Sequence, residues 1–112
     1  MTSQSIESIV MSIAGHPTST GYLYLGCAVQ EVINQGQFLP RSLMKTIYQP
    51  IAARFGTSTG NVARNIARAV DDCWDYGNRN QLNAVANRTL TEKPTPGELI
   101  LYLTHHYTHL KE

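Results

Sequence analysis

Residues Pro50 to Gly77, PIAARFGTSTGNVARNIARAVDDCWDYG, decide how this chain is read. Their pattern predicts a short helix, a tight turn and a longer helix over about 58–76. On the longer helix Val62, Ile66, Ala69, Val70, Cys73 and Trp74 recur at helical spacing, which puts them on one face and predicts burial. The opposite stripe carries Asn61, Arg64, Asn65 and Arg68, followed by Asp72 and Asp75. Arg and Asn are the side chains that pair bidentately with guanine and adenine edges. Here they occupy the first half of the helix, the half that a helix-turn-helix presents to the major groove.

The turn agrees with that reading. A helix-turn-helix needs a small residue where the helices touch, a Gly able to take positive φ, and a branched apolar anchor on the second helix. Ala52, Gly56 and Val62 stand at those places, which sets the unit at about 50–76. An ordinary αα-hairpin uses the same small residues and turn. The Arg and Asn stripe separates the two, because a solvated helix face usually mixes Glu with Lys. Candidate DNA-contacting residues are Asn61, Arg64, Asn65 and Arg68, with Ser58 and Thr59 at the helix start and Arg54 and Arg79 beside the unit.

Elsewhere the chain reads as helices. Ser5 to Ala14 carries Ile6, Ile9, Val10 and Ile13 on one face and is closed by Gly15, His16 and Pro17. His16 reads as a loop residue with no second ligand near it. A second helix over Gly21 to Asn34 turns Tyr22, Leu25, Val29, Val32 and Ile33 inward. A third covers about Arg41 to Tyr48, after which Pro50 either kinks it or opens the next helix. Gly77 and Asn78 form a stop, Arg79 to Ala86 is a short helix, and Asn87 to Pro96 is a loop. The last helix starts at Thr95 or Pro96 and buries Leu99, Ile100, Leu103 and Leu110, with Glu98 in its first turn. No stretch alternates as a strand. The expected fold is all-α, a compact bundle of about six helices, and 112 residues make one domain.

Composition narrows the function. Net charge is +1, so attraction to nucleic acid must come from local clustering. No run approaches the roughly 18–20 apolar residues of a membrane span, and the N-terminus lacks a signal-peptide pattern, which predicts a cytoplasmic protein. Cys27 and Cys73 fall on apolar helix faces outside any metal spacing and read as buried thiols.

Catalysis finds no support. His105 and His109 are four apart and His106 lies between them, but no Glu follows the first and no third ligand is evident. Histidines near a helix C-terminus are favoured by its dipole, and this reading is preferred to a metal site. Asp72 reads as the partner of Arg68, four residues before it, rather than part of a cation site with Asp71 and Asp75. The expectation is no enzyme, no metal and no cofactor.

Gly21-Tyr22-Leu23-Tyr24-Leu25, the segment Tyr48 to Phe55 (YQPIAARF), the Trp74 to Asn78 stop (WDYGN) and Lys93-Pro94-Thr95 occur in an order that is known. In these residues the chain resembles the C-terminal effector domain of the stage-zero sporulation transcription factor A family, a response regulator of endospore-forming bacteria. The resemblance runs from about Ile6 to Leu110. It implies a six-helix fold, recognition of short and often tandem double-stranded DNA boxes, a possible homodimer on them, and contact with the RNA polymerase sigma subunit. Arg64 matches one of the family's reading arginines. Four positions depart: Asn61 stands for an Arg, Ala63 for a Glu, Ala67 for a basic residue and Thr20 for a Lys. The family's receiver domain is absent from the sequence, as in an excised or orphan effector domain. The reading is a sequence-specific DNA-binding transcriptional regulator. The alternative is an interaction module that keeps the fold, does not bind DNA, and dimerises with or antagonises a related full-length regulator.

Overall fold

The computed structural model describes residues 5–36 and 42–110, the side chain of Leu110 excepted. The expectations for Arg41 and for burial of Leu110 fall outside these residues. Within them the chain forms six α-helices: α1 (Ile6–Ile13), α2 (Thr20–Gln35), α3 (Gln49–Phe55), α4 (Thr59–Tyr76), α5 (Arg79–Ala86) and α6 (Pro96–Leu110). The all-α expectation holds, with ends shifted by a residue or two.

Local chemistry fixes most of those ends. Ser5, Ser58 and Asn78 each accept a backbone N–H from three residues on, capping α1, α4 and α5. Thr95 and Glu98 do so reciprocally, each side chain bonding the other's N–H, which starts α6. α2 stops at Gly36 (φ 72°) and α5 at Asn87 (φ 57°), both left-handed caps. α1 ends differently. Ala14 is extended, and the Gly15 N–H is donated to Tyr22 Oη and Asp72 rather than closing the helix.

Pro50 takes the second of its two expected places, in the first turn of α3. A π-helical turn over Met44–Tyr48 runs directly into α3, and Tyr48 keeps helical dihedrals. Proline cannot donate to the carbonyl four residues back, so the Thr46 oxygen would lose its partner. Gln35 Nε2, from the end of α2, donates to that oxygen at 2.5 Å.

α2 and α4 form the central pair and make the most extensive contact between elements. Tyr22, Leu25, Ala28, Val29 and Val32 meet Val62, Ile66, Ala69, Val70 and Cys73, all buried. Closest approach falls at Gly21, where an added Cβ would lie 2.1 Å from the Asn65 carbonyl oxygen. Only glycine lets the two backbones come so near. α1 and α6 flank the pair, and Ile9, Val10, Ile13, Leu99, Ile100 and Leu103 complete one core.

Three expectations are corrected, for Trp74, for Asp72 and for Cys27, which is only partly covered rather than buried. Trp74 is only partly buried at the edge of the core, its ring covered by the Arg79 guanidinium 3.5 Å from the centroid. Asp72 is not paired with Arg68. Its carboxylate turns to the α1–α2 loop and accepts from the Gly15 and His16 N–H groups, from Tyr22 Oη and from His16 Nδ1. Burial alone would raise this carboxyl, but the hydrogen bonds from Tyr22 and His16 outweigh it and hold it below its ordinary value. Burial also pushes the Cys73 thiol up to about 12, as befits an inert core thiol, while Cys27 is only partly covered.

Candidate nucleic-acid interface

α3, the turn at 56–58 and α4 form the helix-turn-helix. Gly56 takes φ 64°, the Thr57 N–H returns to the Ala52 carbonyl and the Gly56 N–H to that of Ala53. These paired bonds end α3 and fix the exit direction of the chain. Ala52 and Val62 are 4% and 0% exposed, so the small contact residue and the apolar anchor sit where the spacing placed them.

The outer face of α4 carries Arg64 and Arg68, both exposed, with no hydrogen bond or ion pair among the described residues. Their side chains stand one helical turn apart on the surface away from the core. The Arg64 guanidinium leans toward the helix start, its Nη1 3.5 Å from where a Cβ on Gly60 would sit. Asn61 and Asn65 are half-buried beside this pair. Asn65 Nδ2 donates to the Asn61 carbonyl at 2.8 Å and to Asn61 Oδ1 at 3.1 Å. Asn61 Nδ2 donates to Thr57 Oγ1 at 2.9 Å.

The other candidates lie around this face. Ser58 is occupied as the cap of α4, and Thr59 is half-buried in its first turn. Arg54, exposed on α3, lies 5.4 Å from the Phe55 ring centroid and borders a groove between α1 and α2. Arg79 stands apart, at the far end of α4, stacked on Trp74 and donating to its carbonyl at 2.6 Å. The structure therefore groups Arg64, Arg68, Asn61 and Asn65 and sets Arg79 away from them. Thr57 was not a candidate, although a hydroxyl four residues before Asn61 was a visible signal. Of the acidic residues that follow, Asp71 binds Lys93 and Asp72 binds the α1–α2 loop, while Asp75 is exposed.

The histidine end of α6 holds no constellation of ligands. His105 and His109 have ring centroids 6.5 Å apart, and no group of three potential metal ligands occurs among the described residues. No described helix is long and apolar enough to cross a membrane.

An all-α bundle organised on a helix-turn-helix, with an exposed cationic stripe on its second helix, is the class to which fold and site point. The family model for the sporulation initiation factor Spo0A C terminal matches residues 6–107, and the chain belongs to that family.

Proposed function

We propose that this domain is a sequence-specific transcriptional regulator that places α4 in the major groove of double-stranded DNA. One observation carries the reading: Arg64 and Arg68 share the exposed face of the second helix and have no partner among the described residues. A side chain whose role was to stabilise the fold would have a partner. Family membership supports the same reading, and with it binding to tandem boxes as a homodimer and contact with the RNA polymerase sigma subunit. No cofactor or metal is required for it.

Roles then divide by position. Arg64, about one turn into α4, reaches base edges, while Arg54 on the preceding helix meets phosphate. Arg64→Ala should cost roughly 1–3 kcal/mol and relax preference at one position, a guanine. Arg54→Ala should weaken binding to every sequence alike and flatten the salt dependence by about one unit of slope. Titrating both variants against a selected and a scrambled site at two salt concentrations tests this. An unchanged specific-to-scrambled ratio for Arg64→Ala removes α4 as the reader.

A second reading has its own observation. Met11 and Leu23 are 39% and 53% exposed around the α1–α2 groove, an apolar surface suited to a protein partner. A domain that used only this surface would pass a DNA column without salt-dependent retention.

A further inference from the structure

On the DNA-binding reading above, we infer that Asn61 is a pre-oriented adenine reader, held in position by Thr57 and Asn65, and that Asn65 is not an independent reader. The argument begins with which atom faces which. The Asn61 backbone carbonyl can only accept, so the Asn65 side-chain atom 2.8 Å from it is the nitrogen. That same nitrogen lies 3.1 Å from the Asn61 side chain, which must present its oxygen. Asn61 Nδ2 is then turned the other way, to Thr57 Oγ1 at 2.9 Å. Both amide orientations are thereby fixed by a backbone atom.

The consequence for Asn65 is direct. The Asn65 amide nitrogen is already engaged by two acceptors on Asn61. Offering adenine a donor and an acceptor together would draw it away from them.

Asn61 keeps what Asn65 loses. Its oxygen points one turn up the helix and its nitrogen one turn back, so the O–N edge runs along the axis. Each atom has used one valence and retains one, a lone pair on Oδ1 and a hydrogen on Nδ2. That pair matches adenine N6 and N7 in the major groove. Its backbone is held too, because the Asn61 N–H is the one that Ser58 caps. Thr57 is anchored in turn by the paired bonds that end α3. An amide whose rotation is already restricted loses less freedom on binding, which sharpens discrimination.

Sites selected from a random DNA pool by the wild-type domain, followed by competition titrations and thermal melts of variants, test the assignment. Asn61→Ala identifies the position that Asn61 faces, which should be an adenine. Thr57→Val and Asn65→Ala should each lower adenine preference there by about three- to tenfold, leaving other positions unchanged. Thr57→Ser keeps the hydroxyl and should restore the preference. Thermal midpoints should stay near the wild-type value in all three. Unchanged adenine preference in Thr57→Val and Asn65→Ala overturns the positioning role, as does an equal loss at every position. A wild-type domain that selects no sequence fails at the DNA-binding reading itself, which the Asn61 variants cannot mimic.

Discussion

The two halves of α4 are built to opposite purposes. In the C-terminal half, charged and aromatic side chains are tied into the fold: Asp71 to Lys93, Asp72 to the α1–α2 loop, and Trp74 to Arg79. Nearer the start of the helix, Arg64 and Arg68 have no hydrogen bond or ion pair among the described residues. The same helix thus ties Asp71 and Asp72 into the architecture and leaves Arg64 and Arg68, like the exposed Asp75, without a hydrogen bond or ion pair among the described residues. Exposed charge on a helix is uninformative by itself, since most of it is a solvated face. What informs is the contrast along one helix between charges that have partners and charges that do not.

The largest effect tests what holds the two halves in place. Gly21→Ala puts a methyl group 2.1 Å from the Asn65 carbonyl and 2.9 Å from the Ala69 Cβ, between two packed backbones. Neither can yield, so the variant should lose about 3 kcal/mol. Gly36→Ala is the control. Among the described residues no atom lies within 4 Å of the added group, and the φ of 72° is strained, which costs about 1 kcal/mol. Denaturant titration of both gives the comparison. Equal losses would mean that the α2–α4 approach is looser than described.

Trp74→Ala should come next. Full burial of a Trp is worth roughly 3–5 kcal/mol, but this ring sits at the edge of the core under Arg79, so about 2–3 kcal/mol is expected. A loss confined to the C-terminal half would leave DNA affinity intact at temperatures where the variant is folded.

Asp72→Asn should cost about 1–2 kcal/mol at neutral pH, because four donors converge on a charged acceptor. Its folded pKa lies below the unfolded one. The stabilisation is therefore complete above the unfolded value of about 3.9 and is lost as pH falls through the lower, folded value. Wild type and Asp72→Asn should converge in stability below that point. A gap that persists in strong acid would assign the loss to packing.

How much of this was legible follows from how far away each partner lies. Helix ends were readable because their causes are local: Ser58 caps a bond three residues on, and Gly36 takes a positive φ and returns its N–H to Val32 and Ile33. The helix-turn-helix was readable for the same reason, its Ala52, Gly56 and Val62 falling within one short stretch. Asp72 was misread because the i,i+4 rule sees Arg68 and cannot see His16, which is 56 residues away in sequence. Pro50 was ambiguous because proline suits both a kink and a first helical turn, and the Gln35 amide that takes the Thr46 oxygen comes from another helix. Periodicity placed Trp74 on the right face but could not tell the centre of a stripe from its edge. At the candidate interface, sequence named the stripe but not its internal bonds, so Thr57 went unnoticed.

A smaller effect separates Arg79 from the other arginines. Its guanidinium lies on the Trp74 ring and its Nη2 bonds the Trp74 carbonyl, both at the exposed end of α4. Arg79→Ala should cost about 0.5–1 kcal/mol of stability and leave the specific-to-scrambled DNA ratio unchanged. A fall in that ratio would return Arg79 to the reading face.

The smallest effect on stability is also the sharpest form of the comparison. Arg64→Gln and Arg68→Gln remove charges that have no partner among the described residues, and Gln is as good a helix former as Arg. Unfolding free energy should stay within about 0.5 kcal/mol of wild type for each. Removing two like charges one turn apart relieves a weak repulsion, so any change should be toward greater stability. DNA affinity should move the other way, because each arginine lost is a cation and a set of donors taken from the proposed groove-facing surface. Measuring both quantities on the same variants decides between the halves. Stability lost together with affinity would mean that the N-terminal half, like the C-terminal one, uses its charges to hold the fold. Affinity lost at constant stability would separate reading from architecture along a single helix.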